Sequence, residues 1–214
     1  MLIDTGLKSS VLISAMHEAN IAPESIDLIL LTHGDHDHIG GLANAEGVFL
    51  FPNARIIMHE ELWKAWASDG QLGDQGAFYA DKQRNLVRAL VPQIEACVQP
   101  IEGEGILIPG VQHLAAPGHR ASHVAFTAET ESSRLLFMGD ALVFPELFED
   151  LSREGSFDSD PKLAILTRLK LLKLACQEST LCCIPHFPFP GIIDVTDECN
   201  VLSWSPWNQS NPSA

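Results

Sequence analysis

Basic residues are scarce in this sequence. Its 214 residues hold 13 Lys and Arg against 28 Asp and Glu, a formal net charge of −15. A surface that acidic repels phosphate backbones and anionic lipid, which argues against nucleic acid and membrane surfaces as partners. Charged residues make up 19% of the chain and apolar residues 46%, the balance of a globular protein and not of a disordered one. No apolar run approaches the roughly 18 residues of a membrane-spanning helix. The N-terminal MLIDTGLKSS has no basic segment followed by a long apolar stretch, so no signal peptide is expected. Cysteines 97, 176, 182, 183 and 199 form no C-x-x-C pair and are odd in number. That excludes a disulfide framework and favours a reducing, cytoplasmic setting. Glycine-rich nucleotide loops of the G-x-x-x-x-G-K-[ST] and G-x-G-x-x-G types are missing, as is a G-x-S-x-G elbow. Nucleotide binding and serine-hydrolase chemistry therefore have no support.

What is present is a succession of strand-like and helix-like segments. Leu2-Ile3 reads as a strand ended by Asp4-Thr5-Gly6, then a helix capped by Ser9 or Ser10 runs through Ala19. A buried strand is expected over 26–31, a short helix over 40–46, a strand over 55–58 and a helix over 59–67. Residues 68–80, rich in Gly, Asp and Gln, are expected to form a loop able to act as a lid. A helix over 81–90 follows. From Val98 the pattern turns to β, with strands expected over 105–108, 111–116, 122–128 and 134–138. Asp160-Pro161 is a helix start, Asp at the cap and Pro in the first position. That helix is expected to reach about Cys176 and to bury Ile165, Leu169, Leu172 and Cys176 on one face. A strand over 180–184, a short one near 192–195 and a loose polar tail over 208–214 complete the reading. The order suggests a single layered α/β or α+β domain over 1–207.

Residues 31–41 read LTHGDHDHIGG. Five imidazole or carboxylate side chains, His33, Asp35, His36, Asp37 and His38, follow directly on an apolar strand. Desolvated groups of this kind need partners, and a divalent cation supplies one. His119 follows the strand 111–116, Asp140 the strand 134–138, and His186 the strand 180–184. One such residue after a strand is an ordinary turn former. Four strand ends that each carry a metal-type ligand point together to a metal centre.

Taken in order, these landmarks resemble the metallo-β-lactamase superfamily of hydrolases: the D-T-G turn, the Thr-His…Asp-His-x-Gly-Gly loop, Pro117-Gly118-His119, Gly139-Asp140 and the late His186. Phe51-Pro52-Asn53-Ala54, Phe157-Asp158-Ser159-Asp160 and Thr167-Arg168 look like the branch that contains lactonases and organophosphate hydrolases. The resemblance implies an α+β fold, a four-layer αββα sandwich. It also implies two adjacent divalent metal ions, usually zinc. One would be held by His33, Asp35 and His119, the other by Asp37, His38 and His186, with Asp140 bridging. A metal-bridged hydroxide would cleave a small-molecule substrate, an ester, lactone or phosphoester, and Asp37 would accept or pass a proton.

The chain departs from the family pattern in several places. The family's H-x-H-x-D-H reads His33-Gly34-Asp35-His36-Asp37-His38 here, so Asp35 replaces the second histidine. A carboxylate is a harder donor and makes iron or manganese an alternative to zinc. Asp35 also motivates a rival reading, a diiron redox or oxygen-responsive protein of the same fold. In Pro117-Gly118-His119-Arg120-Ala121-Ser122-His123, Arg120 is expected to face solvent rather than an anionic substrate, and His123 to support a ligand or sit in the core. Family members usually carry strands before the D-T-G turn. The expectation is then a sheet edge open to another copy of the chain, or a shortened reading frame, and a degenerate non-catalytic member is a second rival. Homoserine-lactone enzymes of the branch usually place Tyr three residues after the bridging Asp, where this chain has Val143. His17 is expected on an exposed helix face, and His59, His113 and the four tryptophans in structural roles. His36 reads as a solvent-facing loop residue or a substrate contact. Phe187 to Pro190 read equally as an apolar substrate rim or a rigid turn.

Overall fold

The computed structural model describes residues 1–68, 80–178, 180–198 and 201–207. The expected lid over 68–80 lies outside the described residues save for its two end positions, and the expected loose tail over 208–214 lies outside them entirely. The chain falls into two compact units, residues 1–102 and Gly103 onward. Each carries one sheet and its own hydrophobic core, and the class is α+β. Among the described residues no helix is long and apolar enough to cross a membrane.

The first unit is built on a parallel sheet of four strands in the order β1 (Leu2–Ile3), β2 (Leu28–Leu30), β3 (Arg55–His59) and β4 (Val98–Ile101). Parallel strands need crossovers, and helices supply them. Helix α1 (Ser9–Glu18) joins β1 to β2, the short α2 (His36–Ile39) follows β2, and α3 (Glu60–Ala67) and α4 (Ala80–Ile94) lie between β3 and β4. Strands covered on both faces read as continuous apolar runs, which is why Leu28 to Leu31 and Ile56 to Met58 are all buried. His59 accepts the Glu61 N–H at 3.1 Å and so caps α3. Its structural role is as expected.

The helix expected over 40–46 does not form; the helical turn is α2, four residues earlier. The glycine pair explains the shift. A Cβ at Gly40 would overlap the Leu7 carbonyl oxygen, and one at Gly41 the Thr5 carbonyl oxygen. These glycines serve the close approach of two backbone segments, not a helix. The chain then turns around Asn44, whose Oδ1 accepts the N–H groups of Glu46 and Val48 at 3.1 and 2.9 Å.

The second unit carries a seven-stranded sheet in the order β11-β10-β9-β8-β7-β6-β5. Its strands are β5 (Gly105–Ile108), β6 (Val111–Ala115), β7 (Val124–Glu129), β8 (Arg134–Phe137), β9 (Leu181–Cys183), β10 (Ile192–Glu198) and β11 (Val201–Pro206). Neighbours are antiparallel except β8 and β9, and that one parallel pair spans the crossover holding α5 (Glu146–Glu149) and α6 (Pro161–Gln177). Strand β10 runs further than 192–195 and pairs with β11, which the sequence reading missed. Cys182 and Cys183 lie in β9; burial pushes the Cys183 thiol up to about 12 and that of Cys182 further, so both are inert near neutral pH.

Helix α6 starts as expected, with the Asp160 carboxylate accepting the Leu163 N–H at 3.0 Å and Pro161 in the first position. Its buried face needs correction. Ala164, Thr167, Arg168, Leu171, Leu172 and Ala175 are the buried residues, while Ile165, Leu169 and Cys176 are half-buried. Two polar residues turn inward because they have partners there. The Thr167 hydroxyl donates to the Pro117 carbonyl at 2.5 Å, and Arg168 donates to three carbonyls described below. Gly118 lies against the first turn of this helix with φ +134°, and a Cβ there would overlap the Ala164 backbone.

Two stability predictions follow from α6. Leu171→Ala should lose about 2–5 kcal/mol of unfolding free energy, whereas Leu166→Ala on the exposed face should change it by less than about 0.5 kcal/mol, both read from urea unfolding. Gly118→Ala should cost about 2–4 kcal/mol in the same assay, from a backbone region closed to other residues and from overlap with α6.

Candidate functional site

In the first unit the ligand-type residues follow β2. The D-T-G turn at the end of β1 lies against them, as the glycine pair permits. The Thr5 N–H and hydroxyl both donate to the His38 carbonyl, at 2.7 and 3.0 Å, and the Gly41 N–H donates to the Gly6 carbonyl at 3.2 Å. This contact carries the Asp4 carboxylate to 2.7 Å from His38 Nδ1. Asp4 is held in turn by the Thr32 N–H and hydroxyl, each at 2.8 Å from one of its oxygens. The Thr32 hydroxyl also lies 2.9 Å from His33 Nδ1. With their Nδ1 atoms anchored, the two rings sit 4.1 Å apart between centroids. Their Nε2 atoms face carboxylates: His33 lies 3.8 Å from Asp35 Oδ2, and His38 lies 3.9 Å from Asp37 Oδ2. Asp35 thus takes the same place beside His33 that Asp37 takes beside His38. Gln83 of α4 donates to the Gly34 carbonyl between the two ligand positions. Burial and the charge of Lys82 lower the His36 pKa, against the opposing pull of Asp37. His36 is half-buried rather than fully exposed to solvent.

In the second unit three strand ends converge. His119 follows β6, Asp140 follows β8 and His186 follows β9. The Asp140 carboxylate lies between the two imidazoles, with Oδ2 at 3.3 Å from His119 Nε2 and Oδ1 at 3.3 Å from His186 Nε2. Behind His119, Nδ1 lies 3.0 Å from Asp158 Oδ1. Behind Asp140, its own N–H donates to His123 Nε2 at 3.0 Å. His123 therefore orients the residue that carries the carboxylate, one of the two roles expected for it.

The separations around Asp140 match cation ligation better than hydrogen bonding. Two ligand atoms about 2.0–2.2 Å from one tetrahedral ion lie roughly 3.3–3.6 Å apart, whereas hydrogen-bonded atoms of this type lie about 2.7–3.2 Å apart. The Nδ1 anchors fall in the second range, at 2.7 to 3.0 Å, the two separations at Asp140 fall in the first, at 3.3 Å, and the His33–Asp35 and His38–Asp37 pairs lie beyond both, at 3.8 and 3.9 Å. A metal-binding histidine holds its other nitrogen on a carboxylate or another acceptor in the same manner. Within each unit, then, the donor set fits divalent metal ions.

Several expectations change. Arg120 does not face solvent. It is 9% exposed, and its Nη1 donates to the carbonyls of His119 and Phe157, both at 2.7 Å, and to the Ser159 hydroxyl at 3.4 Å. A guanidinium fork is suited to gather carbonyls from two loop segments, and those segments carry His119 and Asp158. Phe187 is no substrate rim: it is buried, with its ring centroid 5.2 Å from that of Trp204. Phe189 is 99% exposed. Val143 is buried and presents no polar group. Asp4, Thr32, Asp158 and Arg168 were not read from the sequence as partners of ligands. The D-T-G turn, the Thr-His loop, the F-D-S-D stretch and the Thr167-Arg168 pair held the signal for all four, but only as family landmarks.

The chain is similar to known proteins along most of its length. A family model for the metallo-beta-lactamase superfamily matches residues 1–186. An N-acyl homoserine lactonase of Bacillus cereus is 29% identical over 160 residues, 74% of this chain and 56% of that protein. Metallo-beta-lactamase domain-containing protein 1 of Xenopus laevis is 27% identical over 183 residues, 82% of this chain and 62% of that protein. The chain thus spans about half to three-fifths of the length of these curated relatives. Among solved structures, the hydrolase AbOPH of the beta lactamase superfamily superposes with a TM-score of 0.82 at 26% identity, covering 97% of this chain and 75% of that one. AidC, a dizinc quorum-quenching lactonase, superposes with a TM-score of 0.80 at 22% identity over the same shares, which shows the fold. The chain belongs to the metallo-β-lactamase superfamily.

Proposed function

We propose that this protein is a metal-dependent hydrolase that uses two divalent ions, zinc in the first instance, to cleave a small ester, lactone or phosphoester. One observation carries the reading: His33, His38 and His119 each have Nδ1 anchored on a protein group and Nε2 turned toward a carboxylate. Family membership supports treating His33, Asp35, Asp37, His38, His119, Asp140 and His186 as one ligand set. The activities named for the relatives, lactonase and hydrolase, support the reaction class. Four neutral imidazoles and three carboxylates would offset three of the four positive charges of two divalent ions. The remaining positive charge suits a reaction that develops negative charge on oxygen.

When bound, the ions lower the pKa of water and polarise the substrate oxygen. The chain's own residues do the rest. Asp140 sits between His119 and His186 and holds them at equal distance. Asp37, whose side chain is 35% exposed, is the group placed to take up a proton from water or give one to a leaving group. Asp35 adds a hard oxygen donor, the feature that keeps iron and manganese in contention.

The test is a panel of lactones, aryl esters and phosphoesters, N-acyl homoserine lactones included, assayed with and without chelator. Activity should vanish with chelator and return with zinc. Asp37→Ala should lower kcat/KM by about 100-fold or more. Chelator-insensitive turnover, or an unimpaired variant, would overturn the reading. Protein purified without added metal should be colourless and carry close to two zinc ions per chain by elemental analysis; stoichiometric iron with a redox-active spectrum would favour the diiron alternative.

A further inference from the structure

We propose that Arg168 is a positioning residue for the metal ligands of the second unit, holding His119 and Asp140 in register through Asp158 and the Ala141 carbonyl. The inference rests on the metal reading above. Arg168 lies on α6, outside every motif that names a ligand, and is 1% exposed. A guanidinium buried that deeply needs partners for its charge and its five donors. Its Nε donates to the Ala141 carbonyl at 3.2 Å, and its Nη1 to the carbonyls of Leu151 and Arg153 at 3.2 and 3.3 Å. Its Nη2 lies 3.8 Å from Asp158 Oδ2.

Two of those partners lead to ligands. Asp158 presents its other oxygen to His119 Nδ1 at 3.0 Å, and the Asp158 side chain is only 3% exposed. Arg168 is the cation that faces its second oxygen. Placed to accept the Nδ1–H, Asp158 leaves the lone pair of His119 on Nε2, the atom that faces Asp140. Ala141 is the residue after Asp140, so a bond to its carbonyl fixes the backbone that carries the second ligand. One rigid fork therefore touches both sides of the 3.3 Å separation between His119 and Asp140. Lysine would keep the charge but, as a point donor, could not reach both partners at once. Thr167 works beside it, binding the Pro117 carbonyl two residues before His119. The Thr167-Arg168 pair is thus turned into the core of α6 to serve the loops that carry ligands.

The test is a double-mutant cycle of Arg168→Lys and Asp158→Asn, read as zinc affinity by competition with a chromophoric chelator, with circular dichroism and metal-free thermal stability as folding controls. Each single variant should bind one of the two zinc ions about 10- to 100-fold more weakly than the parental chain. The double variant should be no weaker than the poorer single by more than about threefold, because both act on one path. Losses that multiply would mean that Arg168 supports the fold generally, and would overturn the proposal. So would Arg168→Lys holding both ions with parental affinity. If Arg168→Lys fails to fold, Asp158→Asn decides alone: parental affinity there removes the route to His119. A parental chain that binds no zinc would overturn the functional reading beneath; a parental chain that binds two beside unaffected variants overturns this inference only.

Discussion

An imidazole keeps one nitrogen turned in a fixed direction when the nitrogen on its other edge is held. That constraint organises much of this protein. Thr32 holds His33, Asp4 holds His38 and Asp158 holds His119. None of these anchors is itself loose. Asp4 receives two bonds from Thr32, and Asp158 faces the buried Arg168. The glycine pair after His38 exists because the D-T-G turn must come within hydrogen-bonding distance for Asp4 to reach its histidine. The backbone of the first unit is, at this point, shaped by a side-chain requirement.

The same arrangement has a cost in stability. Buried imidazoles, carboxylates and two deeply buried arginines contribute less than apolar packing of equal volume would. The apolar residues of the two cores supply what the polar groups do not: Ile29, Ile56, Met58 and Leu90 in the first unit, Leu136, Leu171, Leu172 and Cys182 in the second. Metal binding would then return part of the deficit, since an ion that binds only the folded chain stabilises it.

The ligand-type residues were legible in the sequence because each follows an apolar strand, and because the Asp-His-x-Gly-Gly tail sets the register of the first loop. Most strands were legible for the same reason of pattern, β5 to β8 to within one or two residues. The anchors were not. Asp4 is 34 residues from His38 and Asp158 is 39 from His119, and nothing in local pattern links them. The buried face of α6 was misread because apolar Ile165 and Leu169 compete there with Thr167 and Arg168, and only tertiary partners decide that the polar pair goes in. Residues 40–46 were misread as helix because close backbone approach by Thr5 and Leu7, the reason for Gly40 and Gly41, is invisible from the loop alone.

On the proposed metal reading, Nε2 is the metal-facing atom of these histidines and Nδ1 is structural. A crystal structure of zinc-loaded protein, with anomalous diffraction recorded on both sides of the zinc edge, tests it most directly. Two anomalous peaks are expected, with Nε2 of His33, His38, His119 and His186 at about 2.0–2.2 Å from one or other of them. Peaks beside Nδ1 atoms, or no peak near these four rings, would contradict it.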